Sequence, residues 1–398
     1  MKKVMSLAVV LLTGLTCLAQ GKVEKTSPTY KKIHSKAILV DTHNDFLSQA
    51  MDYGVAFDQD LRGKTHSDLK RWKEGGMDVQ FFSVFSDGEQ PNPYDFAMRQ
   101  MDSLDAAVKR NLDKIVKVAN TTELYKVVKQ HKIAALIGVE GGHQIEDDLN
   151  KLDTFYKRGA RYLTLTWNNS TSWATSAADE THNKDLKHKG LTDFGKQLVQ
   201  HMNALGMMVD ISHVGEQTFW DVIATTTKPI IASHSSVYAL CPHQRNLKDE
   251  QIKAIAKNGG VIQVNFNSGF LDPTIEKRED TFIKKHMAEE DSIMLAVQNR
   301  HVASSTIYKK YDTEAQDLRA SFDLVIKHIE YIINLVGVDY VGIGSDFDGI
   351  ELPPQQLDDA TTYPLITKAL LEKGYSEKDI SKILGGNLLR VLIANEKH

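Results

Sequence analysis

An apolar run ends in Asp41-Thr42-His43-Asn44-Asp45, and an imidazole with a carboxylate two residues on suits a divalent transition metal. Alternate side chains of a strand share a face, so Asp41, His43 and Asp45 are expected to point the same way. A polar strand-to-loop turn accounts for the same spacing, because His-x-Asp is a short motif. The chemistry recurs further on. Apolar or β-branched runs also end in Gly138-Val139-Glu140-Gly141-Gly142-His143, Asp210-Ile211-Ser212-His213, Ala232-Ser233-His234-Ser235 and Ser345-Asp346-Phe347-Asp348-Gly349. Any one such histidine is explained by a satisfied place in the core. Five ends that bring His or carboxylate to one rim describe a metal-hydrolase site, with ligands for cations and a carboxylate for proton transfer.

The elements that must position these groups are short strands alternating with amphipathic helices. The strand runs are Ile38–Thr42, Val79–Phe85, Ala134–Val139, Tyr162–Thr166, Met207–Ile211, Pro229–Ala232, Val261–Phe266 and Tyr340–Gly344. Helical stretches between them include Tyr94–Arg110, Thr122–Gln130, Asp193–Leu205 and Ala320–Leu335. Eight strand–helix repeats predict an α/β fold, a (β/α)8 TIM-type barrel whose polar rim lies at the strand C-termini. An open doubly wound sheet is the alternative, but no Gly-x-Gly-x-x-Gly turn opens a first helix. Gly269 to Ala320 is a long, highly charged excursion between the seventh and eighth strands. As solvated helix surface it needs no function; as a unit on the active-site face it reads as a lid or oligomer contact. A helical pattern over Asp379–Glu396 ends the domain.

Of the 398 residues, 41% are hydrophobic and 25% charged, with a net charge of -4. That is ordinary globular composition, and without a long basic block it argues against nucleic acid as a partner. Residues 1–19 read as a signal peptide. Lys2-Lys3 form a basic start, Met5 to Leu15 a short apolar core, and Cys17-Leu18-Ala19 a cleavage site before Gln20. The pattern is bacterial in style and predicts export to the periplasm or cell envelope, with 20–398 as one barrel domain. The core is too short for a membrane span. Lipidation at Cys17 fits less well, because Thr16 and Gly14 match a lipobox poorly. After cleavage Cys241 stands alone, so no intrachain disulfide forms.

The landmarks DTHND (Asp41–Asp45), KEGGMDVQFFSVF (Lys73–Phe85), LIGVEGGH (Leu136–His143), RYLTLTW (Arg161–Trp167), DISHV (Asp210–Val214), SHSSVYALCPHQRN (Ser233–Asn246) and GIGSDFDG (Gly342–Gly349) run through nearly the whole mature chain. Together they resemble the membrane (renal-type) dipeptidases, zinc peptidases of the amidohydrolase-like barrel group. The resemblance implies two Zn2+ per chain, other divalent metals being compatible with such ligands. His43 and Asp45 are then ligands of one zinc, His213 and His234 of the second, and Glu140 bridges them. A water shared by the two zincs is the implied nucleophile. Asp346 is the implied proton shuttle and Arg245 the residue that binds the substrate carboxylate. His143 is expected to support the glutamate loop, Asp41 to help orient His43, and Asp348 to serve the turn. Gly141 and Gly142 either let the backbone approach the metals or form a simple turn.

One position departs from that pattern. At the fourth strand's end, where mammalian members carry a substrate-contacting histidine, this chain has Trp167. An indole donates one hydrogen bond and carries no proton, so oxyanion stabilisation falls to zinc, to Trp167, or to Asn168, Asn169 or His182. The leading expectation is hydrolysis of dipeptides, including those with a C-terminal D-residue. The alternative, motivated by Trp167, is hydrolysis of other small acyl substrates such as N-acyl amino acids, lactams or esters. A non-catalytic binding barrel would have lost site residues, and none is missing. A homodimer is implied by the resemblance alone.

Overall fold

The computed structural model describes residues 26–397, so the predicted signal segment lies outside the described residues. Eight parallel strands form a nearly closed barrel. They are Val40–Asp41, Val79–Phe85, Ile133–Glu140, Ala160–Thr164, Met208–Asp210, Ile231–Ala232, Val261–Val264 and Val341–Ile343, hydrogen-bonded in that order. First and eighth meet through single backbone bonds. Thr42 N–H donates to Ile343 O (3.3 Å), Asp346 N–H to His43 O (3.1 Å) and Asp45 N–H to Phe347 O (2.9 Å). Each run expected as a strand overlaps one, with the third strand longer at both ends and the fourth starting two residues earlier than expected. A short extra strand, Ile115–Lys117, pairs with the start of the third barrel strand. Three residues with two of them only half-buried leave no alternation to read in the sequence.

Period-two alternation separates residues facing the barrel interior from those facing the helices, and position along each strand separates floor from rim. Val79, Phe81, Ala134, Leu136, Met208, Ile231 and Val261 pack together with Leu388, Leu389 and Leu392 of the C-terminal helix Asn387–Asn395. That helix closes the bottom, and the polar residues at the strand ends collect at the top. The expected helix over Asp379–Glu396 is interrupted by a π-type turn at Lys382–Gly386. The excursion folds into helices Ile275–Val297, Arg300–Lys310 and Asp312–Gln316 around a small core of its own, including Phe282, Ile307, Tyr308 and Leu318.

Candidate metal centre and active site

The first strand stops at Asp41, before the motif it introduces. Asn44 bridges to Phe347, and Asp45 becomes the N-cap of helix Phe46–Tyr53. His43 is aimed by this turn rather than by strand alternation. Asp41 consequently does not share its direction. Its carboxylate accepts from Ser345 N–H (2.8 Å), Ser345 Oγ (2.7 Å) and Tyr363 Oη (2.6 Å), tying the eighth strand's end to the first.

Glu140, at the end of the third strand, lies at the centre. Its Oε2 faces His43 Nε2 at 3.2 Å, and His43 Nε2 is also 3.3 Å from Asp45 Oδ2. Its Oε1 faces His213 Nε2 at 2.9 Å and His234 Nε2 at 3.5 Å. One carboxylate thus turns Oε2 to His43 and Oε1 to His213 and His234. Asp346 joins the His43–Asp45 side, with ligand atoms of all three within 4.8 Å of one another.

Buried partners fix which nitrogen each imidazole presents. Tyr162 Oη donates to Thr42 O (2.9 Å), so it accepts from His43 Nδ1–H (2.9 Å). Ser233 Oγ donates to Asp210 Oδ2 (2.6 Å), so it accepts from His234 Nδ1–H (2.8 Å). His213 Nδ1–H donates to Asn168 Oδ1 (3.1 Å). All three Nε2 atoms therefore point into the cluster. His213 and His234 bring theirs within 3.0 Å of each other, and His43 Nε2 and Asp45 Oδ1 are buried without a hydrogen-bond partner. Opposed lone pairs and orphaned acceptors repel one another unless a cation lies among them. This donor set of three imidazoles and carboxylates fits divalent metal ions.

The charges agree with that arrangement at His213 and His234, whereas His43, without a cation beside it, carries a proton on Nε2 between Asp45 and Glu140. Burial first, then the Arg245 charge, pushes His213 down to about 3, and burial with the His43 charge holds His234 well below the usual histidine range. Both are neutral at pH 7, as metal ligands must be. Burial opposes the charge on His43, but the Tyr162 oxygen and the Glu140 and Asp45 carboxylates outweigh it and hold His43 well above its usual range. Burial would raise Glu140, yet His43 and the two facing imidazoles keep it well below. Burial, reinforced by Asp45 and Glu140, pushes Asp346 up to about 8 without cations.

Backbone geometry at the rim is unusual. His213 and Asp346 adopt left-handed φ values of 66° and 63°, a cost tolerated where a side chain must be aimed. Asp346 Oδ2 accepts from Asn265 Nδ2 (2.9 Å). Arg245 is 5% exposed, and its Nη2 donates to His234 O at 3.4 Å while Nε and Nη1 have no partner. Its guanidinium lies 5.5 Å from the Phe270 ring centre, and burial lowers it to about 10.

Trp167 is half-buried, its ring centre 5.0 Å from Phe85 and 6.4 Å from His213. It forms an aromatic wall beside the second imidazole pair. Asn168 is engaged with His213, whereas His182 is exposed and bonds Gln244 Oε1 (2.7 Å). His143 contacts Ser86 Oγ (3.1 Å) and packs on Gly141, where φ is +104° and a Cβ would lie 2.4 Å from the imidazole. Gly141 thus admits His143 and a turn that other residues avoid. Asp348 faces away from the cluster, accepting from Ser67 Oγ and His66 N–H.

Tyr162, Ser233 and Asn265 are the supporting residues that the motifs did not single out. The place of Tyr162 shows only once the strands are paired. This residue pairs across the sheet with Gly138, two residues before Glu140, and a Cβ at Gly138 would lie 1.9 Å from the Tyr162 ring. A glycine on an inward position beside an inward tyrosine marks a ring crossing the barrel.

A model of the membrane dipeptidase family, peptidase family M19, matches residues 28–398. The chain is 32% identical to an uncharacterized dipeptidase of Schizosaccharomyces pombe, over 92% of this chain and 83% of that one. It is 31% identical to dipeptidase 3 of Macaca fascicularis, over 90% of this chain but only 65% of that relative's length. In fold it matches a metallopeptidase of Rhodobacter sphaeroides liganded with a phosphinate mimic of the dipeptide L-Ala-D-Ala. The TM-score is 0.72 at 24% identity, covering 90% of this chain and 100% of the other.

Proposed function

From the premise that the chain belongs to the membrane dipeptidase family, a family of metallo-dipeptidases, we propose that it hydrolyses the amide bond of dipeptides at a two-metal centre. His43 and Asp45 would hold one ion and His213 and His234 the other, with Glu140 shared between them. Zn2+ suits this ligand set, and Mn2+ or Co2+ is chemically compatible. When bound, the two cations supply charge that acidifies a water and polarises the scissile carbonyl.

The remaining work belongs to the chain's own residues. Arg245 takes the free C-terminal carboxylate of the dipeptide on Nε and Nη1, which have no partner in the protein. That pairing fixes the scissile bond over the ligand cluster. Asp346 takes the proton released by the attacking water on its Oδ1 and returns it to the leaving amine, while Asn265 holds Oδ2. Nearby cations favour the ionised form of Asp346, so it starts as the base. The aromatic wall of Trp167 and Phe85 excludes water from one side.

The single observation that carries this reading is Arg245, a buried cation with two unused donors next to the ligand cluster. The test follows amino-acid release from free and C-terminally amidated dipeptides, after chelation and again after zinc is returned. Zinc-restored cleavage of free dipeptides only is the expected result. Equal cleavage of amidated ones would refute the role of Arg245. Tolerance of a D-residue at the C-terminal position belongs to the same proposal, prompted by the ligand of the Rhodobacter protein, and L,D-dipeptides in the panel test it. Trp167 favours a second reading, turnover of N-acyl amino acids, in which the aromatic wall receives the acyl group. Faster turnover of those substrates than of dipeptides would establish it. Export to the cell envelope is also proposed, from the Lys2-to-Ala19 pattern; N-terminal sequencing of secreted protein starting at Gln20 checks it.

A further inference from the structure

Helix Phe46–Tyr53 begins on Asp45, which makes no capping hydrogen bond of its own. Asn44 Oδ1 accepts from Phe46 N–H instead (2.9 Å), leaving the Asp45 carboxylate for the cluster. Any displacement of this helix therefore moves Asp45. One face of the helix is gripped by the excursion. Gln49, 6% exposed, donates from Nε2 to His301 Nε2 (2.6 Å) and to Asp348 O (2.7 Å). Asn299 Nδ2 donates to Asp52 Oδ1 (2.8 Å), and Ser305 lies beside the Tyr53 hydroxyl. Positions 49, 52 and 53 are three and four residues apart, so they form one stripe.

His301 and Ser305 lie one turn apart on helix Arg300–Lys310, and both also reach the segment that follows the eighth strand. His301 Nδ1 is 3.8 Å from Glu351 Oε1, and Ser305 lies beside the Glu351 carboxylate. The excursion helix is thus wedged between the element that starts at Asp45 and the element that follows Asp346. Those two carboxylates flank the same imidazole, His43.

We propose that Gln49 and His301 are positioning residues, through which the Arg300–Lys310 helix sets the separation of Asp45 and Asp346 and hence one of the two metal half-sites. The inference rests on the ligand assignment proposed above. It predicts an asymmetric effect: loosening the clamp weakens one metal and leaves the His213–His234 ion alone.

The test uses the full mature protein, stripped with chelator and titrated with Co2+ and Zn2+ under chelator competition, with cobalt absorption following each step. His301→Phe keeps ring bulk and removes the acceptor for Gln49; His301→Gln restores an acceptor. In His301→Phe one binding step is expected to weaken about 10–100-fold, as when a ligand's supporting partner is lost, with the other unchanged and His301→Gln close to wild type. Amide exchange of residues 46–53 in the metal-free protein should quicken in His301→Phe alone. Two unchanged steps, two steps weakened equally, or failure of His301→Gln to restore the first would overturn the clamp. Should His301→Phe not fold, Asn299→Ala, which cuts the link to Asp52, carries the same expectation. Fewer than two ions on the wild-type protein would instead overturn the ligand assignment, and the exchange measurement would still decide on the clamp.

Discussion

Replacing Arg245 with alanine should separate function from stability. In the free protein this guanidinium is buried with Nε and Nη1 unpaired, which is a cost to folding. Burial lowers it from the ordinary arginine range to about 10, a penalty of about 3 kcal/mol on the charged folded state. The sign follows from linkage: a base whose folded value is depressed destabilises the fold at every pH below that value. Contact with the Phe270 ring and the weak bond to His234 O return part of this. Arg245→Ala is therefore expected to leave the chemical-denaturation midpoint of the metal-free protein unchanged or raised at pH 7. Activity should move the other way. Two charge-assisted hydrogen bonds to a substrate carboxylate, each worth about 1.5–3 kcal/mol, sum to a loss of roughly 10²–10⁴ in kcat/KM. The assay is a cycle of wild type and Arg245→Ala against free and amidated dipeptides. The loss should appear with free dipeptides and be nearly absent with amides. A variant that loses stability, or that loses amide and free substrates alike, would refute the reasoning and make Arg245 a structural residue.

Tyr162→Phe removes the acceptor from His43 Nδ1–H and the donor from Thr42 O. Metal affinity measured by chelator competition should fall about 10–100-fold, and the metal-free protein should lose about 1–3 kcal/mol in denaturant unfolding. Asp346→Asn keeps the bond to Asn265 and removes the proton acceptor; kcat should drop about 10²–10⁴-fold while metal content by elemental analysis stays unchanged. Gly138→Ala puts a methyl group 1.9 Å from the Tyr162 ring, so a loss of about 1–3 kcal/mol and weaker metal binding should appear together. Restoring metal to the chelated wild-type protein should raise its thermal midpoint in proportion to the logarithm of free metal, because the opposed nitrogens of His213 and His234 gain a shared partner.

The barrel was legible because its strands are buried on both faces and so read as continuous apolar runs separated by helical periods. The third strand is the clearest case, with all eight residues from Ile133 to Glu140 buried. The rim was legible for a different reason. Chemically reactive side chains recurred at one topological position, and that recurrence needs no knowledge of pairing. What lay beyond reach was everything set by register. Glu140 lies opposite Thr164 and Gly138 opposite Tyr162 only because the third and fourth strands slip by a residue between Ile137 and Gly138. Without that slip the tyrosine would not cross the barrel to His43.

The His-x-Asp motif shows how the right residues can be found by a rule that does not place them. Alternation along a strand was expected to align Asp41, His43 and Asp45, yet the strand ends at Asp41 and that carboxylate bonds Ser345 and Tyr363 outside the cluster. The turn after it does the aiming, held by backbone bonds to Ile343 and Phe347 that close the barrel. Barrel closure and ligand geometry are therefore one set of hydrogen bonds. Asp41 accepts the backbone N–H of His43 on Oδ1 (3.3 Å) while holding Ser345 of the eighth strand's end, and Asp210 supports His234 through Ser233. Two buried aspartates that touch no metal-facing nitrogen thus hold the two halves of the site. Asp41→Asn should disturb the His43 side and Asp210→Asn the His234 side. Stepwise cobalt binding would resolve that difference, and identical losses on both steps from either variant would argue that the barrel rim yields as a single unit.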